Sequence, residues 1–300
     1  MLNVDIRKLG TEQRHPKSVN LDQMSALEIC TLMNEEDHKV VDAITPSLPQ
    51  IAKAAELCAE AYKNGGRVIY MGAGSSGRYG VVDAVEIPPT FGVPIGKFVG
   101  LMAGGMKALY TYSEDSEDHE DFAEKDLGEL KPTNKDVLIA TAASGRTPYA
   151  IKGLKLAKAA GMKTICLAAN KNALMFEYGD INIPYDVGPE VLTGSTRLKP
   201  GTAQKMVLNM ISTAAMVLCG KTYSNLMVDV ILSNQKLVRR ATNIVMDATG
   251  CSDEVASAKI KECGSAKISI VSILLNCSCE EAKKKLEASN GYVRKAIENK

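Results

Sequence analysis

A glycine-rich loop directly after a short apolar run is the feature that most constrains the fold of this chain. The apolar run covers residues 67–71, and the loop at residues 72–78 has the sequence Gly-Ala-Gly-Ser-Ser-Gly-Arg. A strand that enters a glycine loop and then a helix surrounds an anion with backbone N–H groups and the positive end of the helix dipole. We therefore expect a strand–loop–helix unit with an anion site at its turn.

The loop has the G-x-G-x-x-G spacing of dinucleotide-binding proteins, but the residues around it do not fit that class. The dinucleotide fingerprint needs an acidic residue roughly 20 residues further on, at the end of the next strand, to bind a ribose. The next strand-like run, residues 97–101, leads into Ala103-Gly104-Gly105 without a carboxylate. The adjacent hydroxyls of Ser75 and Ser76 suit the oxygens of a terminal phosphate monoester. The loop is therefore predicted to bind a phosphate group.

Short apolar runs alternate with helical patterns through the middle of the chain. The runs typical of strands cover residues 67–71, 97–101, 136–141, 162–168 and 181–187. This alternation predicts an α/β fold with a doubly wound parallel sheet. In such sheets, ligands bind outside the carboxyl ends of the strands.

Helical patterns also flank this region. A helical pattern at residues 25–64 is divided by two prolines. The helix after the first glycine loop is expected to end near Ile87, because Pro88-Pro89 follow it. A buried helix is expected near residues 202–219, followed by a tail of short helices.

Two further hydroxyl-rich segments follow the same logic as the first loop. The segment at 142–148 follows a predicted strand and places Thr147 as the N-cap of a helix. The segment at 193–199 precedes the buried helix and adds Arg197 and Lys199. Two loops at carboxyl ends of one sheet can share one anionic ligand. The alternatives are a capped helix start that binds nothing and two surface cations.

Two carboxylate sites are candidates for acid or base chemistry. Glu86 stands among apolar residues near the expected end of its helix, where burial and the helix dipole would both disfavour its charge. The alternative is a glutamate that faces solvent. The second site is the acidic run at residues 114–121. Periodicity cannot select one catalytic residue among its members, and the alternative is that the whole run is a solvated surface.

Composition excludes several classes of function. The 36 basic and 35 acidic residues nearly cancel and Trp is absent, so we expect no nucleic-acid partner. Eight scattered cysteines without a C-x-x-C pair, and only three histidines, predict neither a metal site nor a disulfide framework. The longest apolar segment, residues 206–219, is too short to span a membrane, which takes roughly 20 residues. With no signal peptide visible, we expect a cytoplasmic protein that does not bind membranes.

Longer motifs, in a consistent order, give the chain a resemblance to a known family. Over nearly its whole length it resembles the N-acetylmuramic acid 6-phosphate etherases, within the sugar isomerase (SIS) domain superfamily. The resemblance implies cleavage of the lactyl ether of a sugar phosphate from peptidoglycan recycling, giving N-acetylglucosamine 6-phosphate and D-lactate by elimination and rehydration. It further implies no cofactor and a homodimer. The motifs that carry it lie at residues 11–16, 72–78, 83–92, 103–105, 142–149, 187–197, 201–205 and 225–230.

The resemblance also assigns roles to particular residues. It implies that Glu86 is the acid that protonates the departing lactate and later activates water, and that Glu117 is the base that removes the C2 proton. The side chains implied or expected to bind the substrate, most of them at its 6-phosphate, are those of Ser75, Ser76, Ser144, Thr147, Ser195 and Thr196. The sequence departs from the family's usual residues, without losing a catalytic group, at His15, Ser75, Ile87 and Pro200.

The resemblance implies an SIS-type, flavodoxin-like three-layer domain with additions at both ends. The expected boundaries are an N-terminal helical segment at 1–52, the SIS domain at 53–225 and a C-terminal helical region at 226–300, resembling ubiquitin-associated folds from about residue 245. Two other functions stay open. One is a non-catalytic sugar-phosphate regulator, and the other is an aldose–ketose isomerase.

Overall fold

A computed structural model describes residues 9–111, 113, 115–232 and 234–298. The chain divides into two compact units. The first comprises residues 1–84 and 98–212, and the second comprises residues 85–97 and 213–300.

A five-stranded, fully parallel sheet forms the centre of the first unit, with strand order β2-β1-β3-β4-β5. This is the order of flavodoxin-like doubly wound sheets, so the predicted fold class is confirmed. The last strand ends at Pro184, earlier than the run to residue 187 suggested. The strands are β1 (Val68–Gly72), β2 (Phe98–Met102), β3 (Val137–Thr141), β4 (Lys163–Ala168) and β5 (Ile181–Pro184).

Helices surround this sheet, and two of them continue into the second unit. Among the described residues, none of the helices is long and apolar enough to cross a membrane. The helices are α1 (Ala26–Asp37), α2 (Lys39–Ile44), α3 (Leu48–Lys63), α4 (Gly74–Phe91), α5 (Gly105–Tyr110), α6 (Glu120–Glu129), α7 (Pro148–Ala159) and α8 (Lys199–Leu218).

Alternation along β1 divides its side chains between the two faces of the sheet, which explains the three layers. Ile69 and Met71 belong to the apolar cluster that contains residues of α6 and α7. Tyr70 faces the other way, and its hydroxyl donates a 2.6 Å hydrogen bond to Asp83 of α4. Gly80 lets α4 approach closely, because a Cβ there would lie 2.8 Å from the Tyr70 Cβ.

Helix α4 does not end near Ile87 as the sequence predicted, but continues through Pro88 and Pro89 to Phe91. A proline removes one backbone donor, yet its fixed φ is that of a helix. The hydroxyl of Thr90 donates to the Glu86 carbonyl at 2.7 Å, and Gly92 N–H donates to the Pro88 carbonyl at 2.9 Å. These bonds continue the helical turn beyond the two prolines.

The second unit is mainly helical and has its own apolar core, which includes Ile244, Ile270 and Leu286. Ser278 and Glu281 form a capping box in this unit. Its further elements are β6 (Thr222–Tyr223), the antiparallel β7 (Leu226–Met227), α9 (Gln235–Thr249), α10 (Asp253–Cys263), α11 (Ala266–Leu275), α12 (Cys279–Ala288) and α13 (Val293–Glu298).

This unit contains a disulfide, although the sequence predicted no disulfide framework. It joins Cys263, the last residue of α10, to Cys279, the first residue of α12, whose Cα atoms lie 5.3 Å apart. Both helices pack on α11, and this tertiary packing brings the two thiols together. The cysteines are 16 positions apart in the sequence, so no local motif could indicate the pair. Cys58, Cys166 and Cys219 are buried and lie outside this disulfide.

Candidate functional site

A polar cavity of about 250 Å³ lies at the carboxyl ends of the strands in the first unit. Both predicted glycine–serine loops line it, together with part of the acidic run and the segment before α8. The structure thus brings together most of the sequence-predicted residues. Those that line the cavity are Ser75, Ser76, Glu117, Ser144, Thr147 and Thr196.

Close packing requires glycine in the first loop. A Cβ on Gly72 would lie 2.6 Å from the Thr141 hydroxyl, and one on Gly77 would lie 2.6 Å from the Gly72 carbonyl oxygen. The first turn of α4 therefore sits directly over the end of β1. Two side chains donate to the Ser76 carbonyl, Gln204 Nε2 at 2.9 Å and Thr141 Oγ1 at 3.3 Å. This network fixes the turn that presents its hydroxyls and the helix N-terminus to the cavity.

The second loop is fixed by a glycine and an asparagine. Gly145 has φ +70°, and a Cβ there would lie 2.2 Å from the Ala173 Cβ. Asn170 Nδ2 donates to the Ala143 carbonyl at 3.0 Å, which ties the loop to the end of β4. Thr147 is the N-cap of α7, as predicted, but its hydroxyl makes no capping bond within the described structure. That hydroxyl is therefore available to a ligand in the cavity.

The third segment contributes less than the sequence suggested. Thr196 lines the cavity, whereas Ser195 is outside the lining that the described residues form. Arg197 is exposed. The sequence left open whether Lys199 binds the ligand or is a surface charge. It does neither, because it is buried in an ion cluster.

That cluster is centred on Glu36, which is 2% exposed. Its carboxylate lies 2.9 Å from Lys199 Nζ, 2.6 Å from Lys39 Nζ and 3.1 Å from His15 Nε2. Burial opposes ionisation of Glu36, but the hydrogen bonds from the two lysines outweigh it and lower its pKa to about 2. Buried Glu190 accepts a 2.7 Å bond from the Lys199 backbone N–H. The cluster therefore fixes the start of α8, whose Pro200 and Gly201 line the cavity.

Among the described members of the acidic run, Glu117 is the one that lines the cavity. It lies in a single helical turn, Ser116–Asp118, which follows the left-handed residue Asp115. Partial desolvation and, secondarily, the charge of Asp118 raise the pKa of the Glu117 carboxyl. A carboxylate with a raised pKa is a stronger base than an ordinary one. Glu114, in the same run, lies outside the described residues.

Glu86 lies on α4, the helix whose first turn lines the cavity, but it belongs to the second unit. Its side chain is exposed, and so are Val82 and Val85 on the same helix face. The expectation of apolar surroundings for Glu86 is therefore wrong. Apolar neighbours in sequence do not bury a residue when they face solvent themselves.

Sequence reasoning did not select three residues that shape this site. Glu12 and Gln204 line the cavity, and Asn170 holds the second loop. Gln204 and Glu12 stand in the motifs at residues 201–205 and 11–16, which could have marked them. Asn170 follows β4 without a motif of its own.

Several known proteins are similar to this chain. The model of the glucokinase regulatory protein N-terminal SIS domain matches residues 50–158. An N-acetylmuramic acid 6-phosphate etherase of Geobacillus sp. is 50% identical over 294 residues, covering 98% of this chain and 100% of the relative. The enzyme of the same name from Klebsiella aerogenes is 47% identical over 299 residues, covering 99% and 100%.

Among solved structures, the fold is similar to that of a candidate phosphosugar isomerase involved in capsule formation from Bacteroides fragilis. The TM-score is 0.51 at 21% identity, and the match covers 64% of this chain and 91% of that one. This likeness supports the SIS-type fold of the first unit. Identities of 47–50% over nearly the full length of this chain and of its relatives go further. The chain belongs to the N-acetylmuramic acid 6-phosphate etherase family.

Proposed function

We propose that this chain is an N-acetylmuramic acid 6-phosphate etherase, a carbon–oxygen lyase that releases D-lactate and N-acetylglucosamine 6-phosphate. One observation carries the proposal. A cavity with two hydroxyl-rich loops and a carboxylate of raised pKa occurs in a chain that is about half identical to etherases from end to end.

The two loops supply the phosphate-binding part of the cavity. Ser75 and Ser76 stand in the first turn of α4, while Ser144 and Thr147 immediately precede α7. Both helix N-termini offer free backbone N–H groups and a favourable dipole to a dianion. The phosphate bound here would fix the far end of the sugar, so that C2 and C3 lie several bonds away from the anchor.

The chemistry then requires one base and one acid. In the open-chain form, the C1 aldehyde acidifies the C2 proton, and Glu117 removes it. The electron pair forms a C2–C3 double bond as the C3–O bond breaks, and lactate leaves with a proton from Glu86. Water then adds to C3 with help from the Glu86 carboxylate, and a proton returns to C2. The two glutamates end in their starting protonation states.

Glu117 and Glu86 are supported by different observations. For Glu117, the cavity position and the raised pKa support the role of base. For Glu86, the family resemblance supports the role of acid, together with a carboxylate that is accessible on its helix.

Further parts of the proposal concern organisation. We infer an N-terminal helical segment at 1–52, an SIS domain at 53–225 and a C-terminal helical region at 226–300 that resembles ubiquitin-associated folds from about residue 245. We also infer a cytoplasmic homodimer that works without a cofactor, in carbohydrate metabolism of the cell wall. Leu27 and Val41 are exposed apolar side chains of the first unit that a second copy would cover. Light scattering of the purified chain tests the dimer.

The test of activity separates the proposal from its rivals. The protein is incubated with N-acetylmuramic acid 6-phosphate, and D-lactate and N-acetylglucosamine 6-phosphate are measured. An etherase forms both in equal amounts. A regulator, which the family-model match at 50–158 would favour, binds the sugar phosphate without turnover. An isomerase yields a ketose phosphate and no lactate, and either result would contradict the proposal.

A further inference from the structure

Besides Glu117, the carboxylate of Glu12 lines the cavity, and it has no role in the mechanism above. Its side chain is half-buried. Among the residues that the structure describes, the carboxylate has no hydrogen-bond or ion-pair partner. A negative charge that is partly removed from water and left unpaired is costly unless a ligand supplies donors.

The backbone that carries Glu12 is held firmly beside the cavity. Gly10 N–H donates to Asn170 Oδ1 at 3.2 Å, and Glu12 N–H donates to the Leu9 carbonyl at 3.0 Å. The same Asn170 holds the second phosphate loop through the Ala143 carbonyl. Glu12 and that loop are thus fixed to one side chain, so their relative position is set before a ligand arrives.

Gly194 lies beside the Glu12 side chain and leaves space for its carboxylate. Gly194 also lines the cavity, and a Cβ built there would lie 3.3 Å from Glu12 Oε2. Gly194 has φ +78°, a conformation that side chains disfavour. A glycine at this position keeps the carboxylate oxygen open to the cavity.

The charge of Glu12 determines which part of a ligand it can meet. A carboxylate repels a phosphate dianion and a lactyl carboxylate, and it accepts hydrogen bonds from uncharged donors. A sugar phosphate carries such donors in its free hydroxyls and in its amide N–H. Inorganic phosphate, in contrast, carries its negative charge on every side, so charge repulsion outweighs what its protonated oxygen can donate to a carboxylate.

We propose that Glu12 contacts the substrate and accepts hydrogen bonds from uncharged hydroxyl or amide groups of the sugar, so that the cavity favours sugar phosphates over phosphate alone. The inference rests on the proposed sugar-phosphate site. It makes Glu12 a residue of substrate recognition, in addition to the two glutamates of the elimination.

Calorimetric titration of the full chain with two probes, N-acetylglucosamine 6-phosphate and inorganic phosphate, tests the proposal. Glu12→Gln should weaken binding of the sugar phosphate about 10- to 100-fold, because a hydrogen bond to a charged group is lost. Affinity for inorganic phosphate should stay within about twofold or increase, because a repulsive charge is removed. Glu12→Asp keeps the charge but shortens its reach, so its affinity for the sugar should be intermediate. Glu56→Gln, the same change on the exposed face of α3, should alter neither affinity.

Each other outcome overturns the role of Glu12. An equal loss of affinity for both probes in Glu12→Gln and Glu12→Asp means that the residue maintains the fold of the loop. Unchanged binding of the sugar phosphate means that the carboxylate does not touch it. If the unmodified protein binds neither probe, the phosphate site itself is contradicted, and the role of Glu12 with it. This result in the wild type distinguishes a failure of the proposed function from a failure of the role of Glu12 alone.

Discussion

Replacement of Lys199 by methionine should strongly destabilise the first unit. The ammonium group is 1% exposed and donates to Glu36 Oε2 at 2.9 Å and to the Pro189 carbonyl at 2.8 Å. Methionine fills the space of the aliphatic stem but offers no donor. The substitution therefore leaves a buried carboxylate with fewer partners and a backbone carbonyl without its side-chain donor.

The size of the effect follows from what remains around Glu36. Removal of one partner from a buried ion pair costs about 3–5 kcal/mol. Lys39 Nζ at 2.6 Å and His15 Nε2 at 3.1 Å stay in place, so we expect the lower end, about 3 kcal/mol. At roughly 2–4 °C per kcal/mol for a large domain, Tm should fall by about 6–12 °C.

Scanning calorimetry of the wild type and variants measures this. Lys205→Met replaces an exposed lysine of the same helix and should change stability by less than about 0.5 kcal/mol. Lys199→Met combined with Glu36→Gln should cost less than the sum of the two single changes, because the buried charge is then removed. A Tm for Lys199→Met within about 2 °C of the wild type would refute the reasoning.

The pH dependence of stability gives an independent check on Glu36. Its pKa of about 2 lies below that of an unfolded glutamate, so its ionised form is favoured in the folded state. This stabilisation is fully present above about pH 4.5 and is lost as the pH falls toward 2. The stability difference between the wild type and Glu36→Gln should narrow over that window.

Three further predictions concern the catalytic base, the phosphate loop and the disulfide. Glu117→Gln should lower kcat about 10²–10⁴-fold. Asp118→Asn should move the acidic limb of the kcat/KM profile to lower pH, because the Asp118 charge contributes to the raised pKa of Glu117. An acidic limb at the same pH as in the wild type would contradict this. Gly77→Ala should weaken phosphate binding at least about tenfold, since its Cβ would meet the Gly72 carbonyl oxygen, whereas Gly128→Ala, in open space on α6, should bind phosphate normally. A reductant should lower the Tm of the wild type but not that of Cys263→Ser. A disulfide that closes a loop of this length contributes about 3 kcal/mol to the free energy of unfolding.

Local patterns were sufficient to predict the sheet and its loops. The apolar runs gave the five strands to within a few residues, because burial on both faces of a parallel sheet leaves a clear signal. At the glycines of the first loop, the backbone of α4 comes very close to the end of β1, as the Gly72 and Gly77 contacts show. The order of loops along a parallel sheet then sufficed to place Ser75 and Ser144 at one cavity.

Features that depend on contacts distant in sequence could not be predicted in this way. The segment that carries Glu12 is held near the cavity by a bond from Gly10 N–H to Asn170, which is 160 positions away in the sequence. Lys199 looked like a surface or ligand cation, and its burial depends on Glu36 from a different helix. Glu86 was expected among apolar side chains, yet local composition does not reveal which face of a helix is covered.

Reaction of N-acetylmuramic acid 6-phosphate in ¹⁸O-labelled water tests the central claim most directly. Elimination across C2 and C3 followed by hydration breaks the bond between C3 and the ether oxygen. Fragment mass spectrometry should therefore find labelled oxygen at C3 of N-acetylglucosamine 6-phosphate, in addition to any label that the C1 aldehyde takes up by exchange with water, and the lactate should keep the unlabelled ether oxygen. Label in the lactate instead, or no cleavage by folded protein that binds the sugar phosphate, would contradict the account.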